Sequence, residues 1–316
     1  MTGHRVFGGC LESDLDFPEL AHAGGMVPTW TLRITDEICD TGPCRFIGED
    51  EVDRDIRVRL YRTGQGYRLQ FDDTGDFSVS ATGSELEWRP GPNASLEAVR
   101  IDVLGRVLPL AMHASGTCCL HGSAVTLGGS GLAFIGLKHQ GKSTLALALA
   151  NAGATLVTDD TLPVSPGSPA LMRPGVHSLR LWTDSATRLA GSTTHSGSDK
   201  LLVNPPADRV LLAPTRLDAI YLLSPVPQSR PAAVHRQKLS SVDSALTLVR
   251  HSKLGPLFGG SESSALLGWA AAVARSVPVY RLEVARDFER LAEVVDRLGE
   301  WHGAPPRAAR ELQGTS

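Results

Sequence analysis

Lysine is scarce in this chain of 316 residues: of 31 basic side chains only five are lysines, at positions 138, 142, 200, 238 and 253. Two of those five stand four positions apart, so the rarest cation is concentrated in one short stretch. Charge of one sign is also lacking. A formal net charge of -3 offers no basic face of the kind that binding to a phosphate backbone needs, and nucleic acid is not expected as a partner. No stretch approaches about eighteen uninterrupted apolar residues, and the opening MTGHRVFGGCLESDLDF lacks the basic-then-apolar layout of a signal peptide. A cytoplasmic location without a membrane partner follows as the expectation. The five cysteines, Cys10, Cys39, Cys44, Cys118 and Cys119, are odd in number and irregular in spacing, which suits reduced thiols better than a disulfide framework. Cys39 and Cys44 are close enough to share a metal, but no cluster of His or Cys completes such a site.

What is present is the composition of a globular chain, 42% hydrophobic and 21% charged, long enough for two domains. Residues 1–92 carry short alternating runs, such as TWTLRI from Thr29 and IRVRLY from Ile56, separated by Gly, Asp and Pro clusters. They predict a small, mostly antiparallel β module, with YRLQF from Tyr67 as hairpin partner of the Ile56 strand. Pro90-Gly91-Pro92 ends that pattern. Asn93 or Ser95 then caps a helix with apolar residues at Val99, Val103, Val107, Leu110 and Ala111, a connecting element over 93–116. Residues 117–302 alternate strand and helix, and 303–316 read as a loose tail.

Within the third segment, LHGSAVTL from Leu120, a Gly-rich turn and the apolar strand Leu132–Ile135 lead into Gly136-Leu137-Lys138-His139-Gln140-Gly141-Lys142-Ser143-Thr144. An Ala- and Leu-rich helix follows, then a short strand that ends at Asp159-Asp160. Gly-x-x-x-x-Gly-Lys-Ser is a phosphate-binding loop. Its backbone N–H groups curl round phosphates, the helix N-terminus adds positive dipole, the lysine reaches the β and γ phosphates, and the hydroxyl binds Mg²⁺. The bulky interior Lys138-His139-Gln140 still forms a nest if none of the three needs the positive φ that glycine tolerates most easily. Phosphoryl transfer further requires an acid for the metal and a base for the acceptor, and Asp159 and Asp160 are the candidates. Neighbouring side chains on a strand point in opposite directions, so the pair divides these tasks only if the chain turns there. His121, on the strand before the loop strand, is placed to reach the γ phosphate or one of the acids.

His121-Gly122-Ser123, the loop ending in Gly141-Lys142-Ser143-Thr144, and Asp159-Asp160 together resemble the catalytic domain of HPr kinase/phosphorylase and its looser relatives. The resemblance runs from Leu120 to about Trp301. It implies an α/β fold, a P-loop kinase core of the HPr kinase and phosphoenolpyruvate carboxykinase type, here preceded by a small β-rich domain. It also implies an enzyme that uses ATP and Mg²⁺ to phosphorylate a serine of a peptide or protein, for example a ribosomally made precursor peptide. On this resemblance residues 136–144 hold the nucleotide, Lys142 the β and γ phosphates, and Ser143 with Asp160 the metal. Asp159 is the base, and His121 lies near the transferred phosphate. Bifunctional members carry a glycine-rich loop interior and a Glu-x-Arg element; here Ser178 replaces the acid before Arg180, so phosphorylase activity is not expected. The family's hexamers imply a homo-oligomer. A small-molecule kinase, and a catalytically silent nucleotide-binding sensor or assembly module, are the alternatives. Lys200 and Arg209 are further candidates for phosphate contact, and the Ser and Gly residues from Ser192 to Ser198 for a lid.

Overall fold

The computed structural model describes residues 1–37, 42–53, 55–189, 194–195, 200–226, 234–285 and 287–303. The chain forms two compact units, Met1–Cys119 with Ser252–Trp269, and Leu120–His251 with Ala270–Ser316.

In the first unit nine strands form one sheet: β1 (Thr2–Val6), β2 (Gly9–Ser13), β3 (Ala21–His22), β4 (Trp30–Ile34), β5 (Arg45–Asp53), β6 (Ile56–Arg62), β7 (Gly66–Phe71), β8 (Gly75–Ser80) and β9 (Glu85–Pro90), in the order β3-β1-β2-β4-β9-β8-β7-β6-β5. The pairs β2/β4 and β4/β9 are parallel, and the other pairs are antiparallel. The period-two pattern places Val58 and Leu60 on the inner face, and the β6/β7 register sets them opposite Phe71 and Leu69. Against these pack α1 (Leu96–Asp102), a π-helical turn (Val103–Val107) and α2 (Leu108–Ala114), through the stripe Val99, Val103, Val107 and Leu110. Pro109, which has no N–H for the preceding turn, follows the wider π geometry directly. This helical run belongs to the first unit, and so does Ser252–Trp269. The unit therefore extends beyond the 1–92 module that the strand pattern predicts.

The second unit begins with the hairpin β10 (Cys118–Leu127) and β11 (Ser130–Ile135), followed by α3 (Lys142–Asn151), β12 (Thr155–Thr158), β13 (Thr161–Ser165), β14 (Leu171–Met172), β15 (Leu179–Trp182) and α4 (Thr183–Leu189). Then come β16 (Thr194–His195), β17 (Lys200–Val203), β18 (Thr215–Arg216), β19 (Ala219–Val226), β20 (His235–Lys238) and α5 (Ser241–Arg250). The chain ends with α6 (Gly260–Ser276), of which residues 260–269 belong to the first unit, β21 (Val279–Ala285) and α7 (Leu291–Trp301). The main sheet runs β18-β14-β13-β10-β11-β19-β21-β20, with β12 also paired to β10, and β15, β17 and β16 form a small sheet. Its centre is parallel: β11 lies beside β19 and β19 beside β21. Buried on nearly all sides, α3 packs through Leu145 and Leu149 in a core with Phe134, Tyr221, Leu223, Leu282 and Leu298. An Ala/Leu helix without a polar face suits such a position. The fold is thus mixed α/β with large sheets, and its parallel centre delivers the loop at the carboxyl end of β11.

Candidate active site

The loop leaves β11 at Gly136, whose φ is +152° and where a Cβ would stand 2.4 Å from the Gln140 side-chain oxygen. Gly141, at φ +84°, caps α3 in the left-handed region. At both ends glycine is therefore a conformational requirement. Between them His139 also has a positive φ, +67°, so the loop interior does not meet the condition of negative φ throughout. Histidine is among the side chains found more often than most in this region. Its ring is held by stacking on Trp182, with centroids 5.0 Å apart and planes 25° apart. Leu137 and Lys138 are exposed.

The loop's polar groups close on one another. Lys142 is buried and its Nζ donates to the carbonyls of Gly136 at 2.9 Å and Leu137 at 3.0 Å. The backbone N–H of Leu137 donates to Gln140 Oε1 at 2.7 Å, so an amide oxygen sits where the nest would receive an anionic oxygen. Thr144 donates to Ser185 at 3.2 Å and ties α3 to α4.

At the end of β12 the chain turns within two residues. Asp160 has φ +66° and the Thr161 N–H donates to the Asp159 carbonyl at 2.8 Å. That turn separates the two acids. Asp159 is buried, and its Oδ1 accepts hydrogen bonds from Ser143 Oγ at 2.8 Å and Ser123 Oγ at 2.5 Å, while the Arg180 N–H reaches Oδ2 at 3.4 Å. Burial, and secondarily the Asp160 charge, push its pKa up against the pull of the hydroxyl donors. Asp160 is 53% exposed, with Oδ1 3.2 Å from His121 Nδ1. The Ser143 hydroxyl therefore meets Asp159, not Asp160 as the resemblance implies.

Two residues to which the sequence assigns no role join the site. Ser123 shares a β10 face with His121 two positions away, and strand alternation would have found it. His251, at the end of α5, accepts the His121 N–H on its carbonyl at 2.8 Å. Its imidazole is pushed down to about 4 by burial and then by the positive charge of Lys142, His121 and Arg250. It stays neutral near the loop lysine, and no local pattern marks it.

Among the described residues no group of three or more His, Cys, Asp or Glu side chains is arranged to hold a metal. The donor set of Ser143 and Asp159 is instead a hydroxyl and a carboxylate, hard oxygen ligands of the kind Mg²⁺ takes when it keeps several waters. Arg209 has a partner away from the loop: its Nη1 donates to the Gly153 carbonyl at 3.1 Å, just past the far end of α3. The Lys200 side chain and residues 192–193 and 196–198 of the expected lid lie outside the described residues, as do Cys39 and the tail from 304. Ser178 donates to Asn204 at 2.6 Å, and the exposed Arg180 follows two residues later.

No family model matches the chain, and no curated protein matches it. Among solved structures the chain is similar to the Hpr(Ser) kinase/phosphatase from Coxiella burnetii, with 14% identity over 58% of this chain and 96% of that one, at a TM-score of 0.32. No helix among the described residues is long and apolar enough to cross a membrane.

Proposed function

We propose that this chain binds ATP with Mg²⁺ and transfers a phosphoryl group to the serine hydroxyl of a peptide or protein. The observation that carries the reading is the 2.8 Å contact between Ser143 Oγ and Asp159 Oδ1 at the start of α3, beside a loop with buried Lys142. A hydroxyl from the helix N-terminus and a carboxylate from a neighbouring strand end, held together beside a lysine, are the parts a phosphoryl-transfer site uses to hold a metal-bound nucleotide. When bound, the nucleotide supplies the phosphoryl group and Mg²⁺ offsets its charge.

The residues then divide as follows. Leu137 through Gly141 offer backbone donors, and Lys142 turns from its two carbonyl partners towards phosphate oxygens. Ser143 and Asp159 hold the metal side, with Ser123 fixing the Asp159 carboxylate. Asp160, exposed at the turn and paired with His121, takes the proton of the acceptor hydroxyl, and His121 keeps it oriented. This reverses the order of the two acids that the resemblance implies. The reading is of a kinase alone, because Ser178 is bonded to Asn204 and brings no carboxylate beside Arg180.

The test is calorimetric titration of the full chain with ATP, with and without Mg²⁺, followed by transfer from labelled ATP to a panel of serine peptides. Magnesium-dependent binding, and label on peptide that is lost with Lys142→Ala, are the expected results. Absence of magnesium-dependent binding in the unmodified chain overturns the proposal. Binding without transfer to any peptide, but with transfer to a small hydroxyl compound, overturns the choice of acceptor.

A further inference from the structure

The second unit carries a basic cleft that the site just described does not use. Leu222 of β19 pairs with Arg281 of β21, and Arg281 pairs with Gln237 of β20, so these three share one face of the sheet. The alternate residues Tyr221, Leu223 and Leu282 point into the core with α3. Over the shared face runs α5, which presents Asp243, Leu246, Thr247 and Arg250 at helical spacings of three, four and seven. Between helix and sheet lies an open cavity of about 400 Å³, lined also by Lys238 and Ser240.

Its charge is one-sided. Lys238, Arg250 and Arg281 are exposed, and none forms an ion pair with a described residue. The single acid of the lining, Asp243, is occupied at the helix start, where it accepts from Ser240 Oγ at 2.7 Å and its own N–H donates to that oxygen at 3.1 Å. Three cations against one carboxylate leave the open cleft with an excess of positive charge, which suits a ligand that carries carboxylates.

The cleft also stands at a defined place relative to the loop. In parallel register Leu222 lies beside Ile135, the residue before Gly136, and Arg281 lies one strand farther. Two strand spacings put Arg281 roughly 10 Å from the start of the loop, a span of about three extended residues. Arg250 directly precedes His251, which the charges of Lys142 and His121 reach.

We infer that this cleft docks an acidic segment of the acceptor peptide, with carboxylates about three or four residues from the serine that is phosphorylated. The inference rests on the kinase reading for the serine and on the cleft alone for the acids.

The experiment uses the full chain with Mg²⁺ and a non-hydrolysable ATP analogue, and fluorescence anisotropy of three labelled single-serine peptides, each made in both chain directions. One carries two glutamates three and four residues from the serine, one carries glutamines there, and one carries the glutamates ten residues away. The first is expected to bind about tenfold tighter than the other two, with the preference weakening as salt rises. In the double variant Arg250→Gln, Arg281→Gln the preference disappears while the affinity for ATP stays within about twofold. Equal binding of the first two peptides, or a preference that survives in the double variant, overturns the inference. A short oligonucleotide that outcompetes the acidic peptide overturns the peptide assignment. If the chain binds no ATP yet keeps an acid preference that the double variant loses, the kinase reading fails and the cleft stands; ATP binding without acid preference does the reverse.

Discussion

Asp102 in the first unit and Asp159 in the second are each 4% exposed, and burial is the largest cause pushing both carboxyls above their ordinary range. Their surroundings differ. Asp102 accepts one hydrogen bond, from Thr74 Oγ1 at 2.7 Å, and sits at the entry to the π-helical turn among the apolar stripe of the helical run. Asp159 gathers two hydroxyls on one oxygen and a backbone N–H on the other, at a strand end beside a loop of backbone donors. A buried acid is therefore not in itself a site. What separates the two is convergence: partners arriving from β10, α3 and β15 can only have been brought together by the fold, whereas Asp102 accepts from Thr74 alone among side chains, with the Arg106 and Asp73 charges nearby.

The sharpest break in that comparison is to neutralise each acid in turn. Asp159→Asn is expected to lower phosphoryl transfer on the order of 10³-fold and to remove the magnesium dependence of nucleotide binding, while Asp102→Asn leaves both unchanged. Transfer assays and calorimetry on the two variants decide it; comparable losses from both would erase the distinction.

Asp102 should show itself in stability instead of in activity. Its carboxyl is pushed up to about 7 from 3.8, so the folded state holds the proton that the unfolded chain has already released. The contribution of this group to stability is fully present below about pH 4 and is lost as the pH rises through 7, a change of up to about 4 kcal/mol. Asp102→Asn keeps an acceptor for Thr74 and should flatten that slope, gaining most at neutral pH. Urea titrations of both proteins between pH 4 and 8 measure it, and parallel slopes would refute the assignment.

The division of labour between neighbouring acids gives a smaller effect. With Asp160 as base, Asp160→Asn is expected to lower kcat about 10²-fold and leave nucleotide affinity within about twofold. Asp159→Asn should instead weaken magnesium-dependent affinity itself. An exchange of these two patterns would restore the order that the resemblance implies.

The parts of this site that were legible in the sequence are those whose meaning lies in spacing. Gly136, Gly141, Lys142 and Ser143 fix a loop by their mutual separation, and the short strand ending at Asp159-Asp160 was visible as an apolar run with a polar stop. Which acid meets Ser143 was not legible, because it depends on a left-handed residue at Asp160, and aspartate neither requires nor forbids that conformation. His251 was hidden for another reason: it reaches the site through the return of α5, and contacts between distant segments leave no periodic trace. The same holds for Ser252–Trp269, whose sequence gives no sign that it joins the first unit. The apolar stripe from Val99 to Leu110 was visible in the sequence, but a stripe does not say which core it enters.

On the kinase proposal, the contrast with Asp102 also accounts for the internal bonds of the loop over 136–144. The Thr74–Asp102 hydrogen bond is complete within its core, whereas a site built to receive an anion has donors that must be satisfied by something before it arrives. Here Gln140 Oε1 takes the Leu137 N–H, and the Gly136 and Leu137 carbonyls take the Lys142 ammonium. Occupying the nest lowers the free energy of the empty loop and opposes binding by the same amount, which for a neutral hydrogen bond is about 1 kcal/mol. Gln140→Ala removes the internal acceptor while leaving every backbone donor in place. It should therefore tighten ATP binding about threefold to fivefold, with Gln140→Glu weakening it, because a carboxylate there both competes for the N–H and repels phosphate. Calorimetric affinities of the two variants test this, and weaker binding in Gln140→Ala would mean that the side chain holds nucleotide instead of standing in for it.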